Sequence, residues 1–304
     1  MEYQLADVFT DVPLVGGNQL AVFTQRRPVP AEVMQAIALE LNLSESVFLC
    51  PPEHGGDVRT RLFSTVREVD FAGHPLLGTA AVLAREREED EALLHIETNV
   101  GTVPISIQRH SESRFTGWMD QPIPRVEEIP DEEAVRLLAV LGLEHSVLPV
   151  TRYDAGIPHL YVMAESPEAV RGVVPDFPAL GAAAGDSRIN VFAPTGPETA
   201  VTRMFSPYDR VPEDPACGSA AGPLAAHLVR HGRLASGTRI SLDQGKAVNR
   251  PSTLHAEAVV HDGRIQSVRV GGGICLIGRG ELHVPDSMVS GPLAGTSTVG
   301  VVRE

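Results

Sequence analysis

The apolar positions of this chain change period several times, and each change marks an element. YQLADVFT (residues 3–10) alternates in part and predicts a strand, and VGGNQLAVFT reads as a turn running into a second strand. From Val29 the period lengthens: Val33, Met34, Ile37 and Leu41 form one helical stripe, with Pro30 suited to the first turn and Asn42 to the stop. Val47 to Cys50 starts another strand, which leaves Glu45 on a short link from which a side chain can reach a cleft. Strand patterns continue in VRTRLFSTVREV, LLHIETNVGTVPISIQRH and RFTGWMDQP. An acidic-started helix begins at Asp131, and strands resume in SVLPVTRYDAG and HLYVMAES. A short helix is expected in DFPALGAAAG and a strand in ETAVTRMFSP. TRISLDQG, LHAEAVVHDGRIQSVRVGGG and CLIGRGELHV close the pattern as strands, one pair turning at HDGR.

Two helical stretches share a layout that periodicity alone does not require. DFAGHPLLGTAAVLA (70–84) and DPACGSAAGPLAAHL (214–228) each place an acid, a small residue, a glycine and a polar side chain before a small-residue helix. Aligning Gly73 with Gly218 pairs Ala72 with Cys217 and His74 with Ser219. Each stretch follows a predicted strand, so each half of the chain carries one such unit. That predicts two similar lobes, each aiming a helix N-terminus at the cleft between them. Unpaired N–H groups at such an end make a socket for an anion, and small residues let it approach. The expected partner is a small carboxylate-bearing substrate. A thiol facing substrate at a helix start should have its pKa lowered, whereas an inert buried thiol is the plainer reading of Cys217.

At 304 residues the chain favours two domains. The Pro-rich stretch QPIPRVEEIP places the boundary near Pro122, giving lobes at 1–121 and 122–284, with 285–304 a candidate to complete the first. Mixed strands wrapping one central helix per lobe make the fold class α+β. A formal net charge of −14 argues against nucleic acid or an anionic membrane surface as partner. Three scattered cysteines without a CxxC, and no signal-peptide pattern at the start, fit a reducing cytoplasm. Lys246 is the only lysine and lies in a predicted turn, which disfavours a Schiff-base cofactor. GGGICLIGRG fits no phosphate or dinucleotide fingerprint and reads as a bend in a sheet. His227 and His231 read as a solvated helix face rather than a metal pair, and no G-x-S-x-G elbow occurs. No cofactor and no metal are expected.

ADVFTDVPLVGGNQLAVF, LNLSESVFL, DFAGHPLLGTAAVL, RMFSPYDRVPEDPACGSAAGPLAAHL and DQG…NRP with VRVGGG fall in order to about residue 284. Together they resemble the phenazine-biosynthesis PhzF-like family of the diaminopimelate epimerase and proline racemase superfamily. The resemblance implies two pseudo-symmetric lobes, each a barrel-like sheet around a central helix, cofactor-independent proton transfer between them, and commonly a homodimer. It assigns Glu45 as acid/base, with His74 and Asp214 as further catalytic residues that hold or relay the second proton. Ser44, Gly73, Cys217, Gly218 and Ser219 become substrate-binding positions. The superfamily's epimerases face two thiols across the cleft; here Ala72 stands opposite Cys217, so that mechanism is not available. Cys217 also departs from the threonine common in PhzF-like chains, and Gln19 stands where proline is usual.

The expected activity is a cofactor-independent isomerase that shifts a proton at a carbon next to a carboxylate or an enol ether, with Glu45 taking the proton and returning it elsewhere. Three alternatives stay open: a one-thiol epimerase or racemase pairing Cys217 with Glu45, a hydroxy-amino-acid dehydratase using Cys217, and a non-catalytic module binding a small carboxylate or a protein.

Overall fold

The computed structural model describes residues 1–26 and 28–289, and its strands pair into two rings. In the first, β1 (Glu2–Val8), β2 (Asn18–Phe23), β3 (Glu45–Cys50), β4 (Val58–Ser64), β6 (Glu91–Thr98), β7 (Gly101–Arg109) and β8 (Arg114–Gln121) hydrogen-bond in that order. β17 (Arg264–Glu281) pairs with both β8 and β1, which closes an eight-stranded barrel. The short β5 (Glu68–Val69) hangs on β4. Inside runs α2 (Gly73–Glu86), buried at every position from Gly73 to Ala84. A helix enclosed on all sides must be apolar all round, which is why its sequence is leucine, alanine and glycine with no polar stripe.

The second half repeats this plan. β9 (Arg125–Glu128), β10 (Thr151–Asp154), β11 (Pro158–Met163), β12 (Arg188–Gly196), β13 (Thr199–Ser206), β15 (Ile240–Gln244) and β16 (Ser252–His261) follow in order to the first half of β17. They surround α6 (Gly218–Arg230), and β14 (Val211–Asp214) hangs on β13 as β5 hangs on β4. The parallel pairs recur at equivalent places: β2 with β3 and β4 with β6 in one lobe, β11 with β12 and β13 with β15 in the other. β8 and β17 run antiparallel along the seam, from Gln121 opposite Val268 to Arg114 opposite Cys275. Past the seam each serves the other lobe: the chain after β8 becomes β9 and pairs with β10, while the end of β17 pairs with β1.

The outer helices follow their patterns. α1 (Ala31–Leu41) buries Val33, Met34 and Ile37 and stops at Asn42, whose left-handed backbone (φ 51°) returns its N–H to the Ala38 carbonyl. α3 (Asp131–Leu141) carries three acids in its first turn, and α5 (Phe177–Ala184) is capped by the Asp176 carboxylate. α4 (Pro167–Gly172), β9, β12 and β14 lack a clear mark in the apolar pattern. No helix among the described residues is long and apolar enough to cross a membrane.

One expectation fails. His227 does not lie on a solvated face: it is fully buried, stacked on Tyr161 and edge-on to Tyr153, with Nδ1 3.2 Å from the Tyr153 hydroxyl. Strands cover α6 on that side, and burial drives the imidazole down to about 3. The GGGICLIGRG stretch of β17 pairs regularly with β8 at its three glycines and shifts register further on, where Leu5 and Ala6 face Gly278 and Leu276. Near the end of the described chain Leu282, Val284 and Met288 pack on the α1 cluster. Most of the 285–304 segment expected to complete the first lobe, residues 290–304, lies outside the described residues.

Candidate active site

The two central helices meet N-terminus to N-terminus. A methyl group placed on Gly73 would stand 3.2 Å from Gly218 Cα, and one on Gly218 would stand 3.1 Å from the Phe9 ring and 3.4 Å from Gly73 Cα. A side chain at either position would crowd the joint, which accounts for the paired glycines of the two sequence units. The N-cap residues are Ala72 and Cys217, and neither side chain caps its helix. Both first turns therefore keep N–H groups free of local side-chain partners, at adjoining positive helix ends.

Beside this joint a cleft of about 340 Å³ separates the lobes, with Ser44, Glu45, Arg188, Asp209 and Asp214 in its wall. Glu45 opens β3, and one Oε2 lies 3.4 Å from His74 Nε2 on the first turn of α2. Neither atom has a hydrogen-bond partner. The Glu45 side chain is one-fifth exposed, and burial, followed by the Asp214 charge, raises its carboxyl to about 8. His74 is buried and driven down to about 3, so its ring is neutral at ordinary pH. Its hydrogen bond to the Gln19 backbone uses Nδ1, because Nε2 is unpartnered. The Nε2 lone pair then faces the Glu45 carboxyl.

Asp214 ends β14 just ahead of α6. Its Oδ1 accepts from the Ala216 N–H at 2.8 Å and from Asn18 Nδ2 at 3.0 Å. Burial raises it to about 6, while these donors and Arg188 oppose the rise. Asn18 crosses between the lobes: Nδ2 also donates to the Ala216 carbonyl, and Oδ1 accepts from Ser44. Gln244 secures the same turn, donating to the Asp214 carbonyl and accepting from the Cys217 N–H. Opposite, Asp209 binds Arg188, Ser206 and, from the other lobe, Arg67. Asn18, Gln244, Arg188 and Asp209 have no role in the sequence expectation, although Asn18, Asp209 and Gln244 lie inside the stretches GGNQL, FSPYD and DQG that carry the resemblance.

The site residues expected from sequence are thus brought to one region but play unequal parts. Ser44, Glu45 and Asp214 line the cleft, and His74 touches it through Glu45. Gly73 and Gly218 form the helix joint, and Ser219, half-buried, bonds His159 Nε2 at 3.0 Å. Cys217 corrects the expectation of an acidified thiol. Its side chain packs with Met204 and Ala220, and burial, with the Asp214 charge, pushes it up to about 12. Desolvation is the largest cause, and the Ser219 hydroxyl and the Arg188 charge offset only part of it. Among the described residues no three metal-ligating side chains cluster.

Comparison with known proteins agrees with this architecture. A family model described as phenazine biosynthesis-like protein matches residues 6–278. The trans-2,3-dihydro-3-hydroxyanthranilate isomerase of Pseudomonas aeruginosa is 41% identical over 282 residues, covering 93% of this chain and 99% of the relative. Its namesake in Pseudomonas chlororaphis is 40% identical over 280 residues, covering 92% and 98%. The solved structure of a predicted epimerase from Pseudomonas aeruginosa superposes with a TM-score of 0.79 at 34% identity, covering 93% of this chain and 99% of that one. A probable proline racemase from Agrobacterium radiobacter shares the fold, with a TM-score of 0.63 at 12% identity and coverage of 96% and 98%.

Proposed function

We propose that this chain, which belongs to the phenazine biosynthesis-like family and is a PhzF-like isomerase, moves a proton between two carbons of a small carboxylate substrate with Glu45 as the shuttle. A ring acid bearing amino and hydroxyl groups, the substrate class in the relatives' names, fits a cleft of this volume. The observation that carries the reading is the Glu45–His74 pair: a carboxyl held near 8 beside an imidazole that stays neutral.

At pH 7 a carboxyl at about 8 is protonated over ionised by roughly ten to one. Glu45 therefore starts as an acid. It gives its proton to one carbon of a carbon–carbon double bond, whose electron pair forms the new C–H bond. The carboxylate left behind is buried and poorly solvated, hence a strong base, and takes a proton from the second carbon. The electron pair of that broken C–H bond re-forms a double bond one position along. One proton enters the substrate and one leaves, so no oxidant is needed. This reverses the order expected from sequence, in which Glu45 first accepts. The helix ends hold the substrate carboxylate; in this order the substrate carbons develop positive charge, which the Glu45 carboxylate left beside them balances. Asp214, held near 6, is largely ionised at pH 7, and its charge helps keep the proton on Glu45. Cys217, near 12, stays protonated at pH 7, which leaves the alternatives without the thiolate they need.

The test is Glu45→Gln assayed with trans-2,3-dihydro-3-hydroxyanthranilate alongside a melting curve. Turnover should fall by about 10²–10⁴-fold, the range for losing a positioned proton-transfer group, with the fold retained. A variant that keeps most of its turnover removes Glu45 from the reaction.

A further inference from the structure

Behind Ser219 a line of buried polar groups runs away from the cleft. His159 Nε2 lies 3.0 Å from Ser219 Oγ, and His159 Nδ1 lies 3.1 Å from Asn190 Nδ2. The same Asn190 nitrogen is 3.3 Å from the Leu160 carbonyl oxygen. His159 and Asn190 are both about 1% exposed, so no solvent rearranges these bonds.

The directions follow from donor and acceptor chemistry. A carbonyl oxygen only accepts, so the atom of Asn190 facing Leu160 is the NH₂ nitrogen. Its second hydrogen points to His159 Nδ1, which must then offer a lone pair. A neutral imidazole that accepts at Nδ1 carries its hydrogen on Nε2. That hydrogen is donated to Ser219 Oγ, so the serine hydroxyl is left with its own hydrogen to give elsewhere. The only other neighbour bonded to Ser219 Oγ among the described residues is Cys217 Sγ at 3.4 Å, a weak partner that a stronger acceptor displaces. Burial and the nearby Arg188 charge hold His159 well below its ordinary value, so the ring stays neutral and the direction does not reverse in working conditions.

We propose that Asn190 and His159 are positioning residues that lock Ser219 as a hydrogen-bond donor toward an anionic oxygen of the substrate at the N-terminus of α6. The inference rests on the isomerase reading for its substrate and extends it: a hydroxyl locked as a donor beside the uncapped first turn of α6 favours an acceptor-only group such as a carboxylate. Asn190 and His159 act only through Ser219.

Nitrogen-15 NMR of the His159 ring decides the tautomer without any substrate. The expected spectrum has the hydrogen on Nε2 and a bare Nδ1; a hydrogen on Nδ1 overturns the proposal. Asn190→Asp replaces the donor by an isosteric acceptor, should move the His159 hydrogen to Nδ1, and should turn the Ser219 hydrogen back toward His159. With trans-2,3-dihydro-3-hydroxyanthranilate its kcat/KM should fall about 10- to 100-fold, the effect of losing one hydrogen bond to a charged group. Ser219→Ala should fall by a similar factor, and adding Asn190→Asp to it should cost nothing more. Additive losses in the double variant overturn the proposal, since a packing role does not act through the hydroxyl. If the wild-type protein does not turn over that substrate, the substrate assignment fails, and the ring spectrum still decides the direction of the relay by itself.

Discussion

Glu45→Gln should change the pH dependence of folding as well as the activity. In the unfolded chain this carboxyl titrates at its ordinary 4.5, and in the folded protein at about 8. Between those values the folded state binds one more proton than the unfolded state, so stability falls as pH rises. The contribution is fully present below 4.5 and lost as pH passes through about 8. A rise from 4.5 to about 8 corresponds to about 5 kcal/mol at ~1.4 kcal/mol per pH unit. The side chain is one-fifth exposed, and water screens part of the charge, which brings the expected figure to roughly 3–5 kcal/mol. Glutamine keeps the shape and does not titrate. Urea unfolding of both proteins, followed by circular dichroism at constant ionic strength from pH 5 to 9, should show the variant gaining that amount on the wild type across the range. A difference that stays constant with pH refutes the assignment of the raised pKa to Glu45. Asp214→Asn should move the Glu45 transition downward but not back to 4.5, because burial is the largest cause and the Asp214 charge the second.

Cys217, buried and near 12, should react with iodoacetamide at pH 8 more slowly than the half-buried Cys50, as mass spectrometry of the labelled peptides will read; faster labelling of Cys217 would restore the activated thiol. Gly218→Ala drives a methyl group to 3.1 Å from Phe9 and 3.4 Å from Gly73 Cα, and should cost about 1–3 kcal/mol of stability by overpacking together with a loss of kcat; a variant unchanged in both would mean the helix joint tolerates separation.

Much of the fold is legible in the sequence because its two central helices are enclosed. A helix buried on all sides next to another backbone must be written in small and apolar residues, and DFAGHPLLGTAAVLA and DPACGSAAGPLAAHL both are. Their shared layout exposes the pseudo-symmetry before any strand pairing is known. β12 is harder to read because RINVFAP lies between β11 and β13 and is buried on both faces over Ile189–Ala193, so it shows a short apolar run without alternation. The exchange of β9 and the end of β17 between lobes leaves no local trace, since it depends on which strands meet at the seam. The same holds for the site. Glu45 carries a recognisable motif; Asn18 and Gln244 lie in quoted motifs without a stated role, and Arg188 and His159 are solitary polar residues that only the three-dimensional pairing gathers. The Cys217 expectation fails for a related reason: the helix end is visible in sequence, while Met204, which helps desolvate the thiol, is 13 positions away.

The two lobes contribute different chemistry from equivalent positions, and that difference assigns the roles. On α2 the residue after the glycine is His74, whose Nε2 and the Glu45 oxygen facing it both lack hydrogen-bond partners. On α6 the residue after the glycine is Ser219, part of a line of satisfied bonds through His159 and Asn190. Asp214 on the same side accepts from Asn18 and Ala216. A carboxyl with no donors in a desolvated corner keeps its proton, whereas one with two donors and a nearby arginine gives it up sooner, hence about 8 for Glu45 and about 6 for Asp214. Two carboxyls separated in this way by their surroundings divide into a proton donor and a fixed anion. On the proposed reading the N-terminal lobe holds the mobile proton, and the C-terminal lobe holds the charge and the donors that orient what receives it.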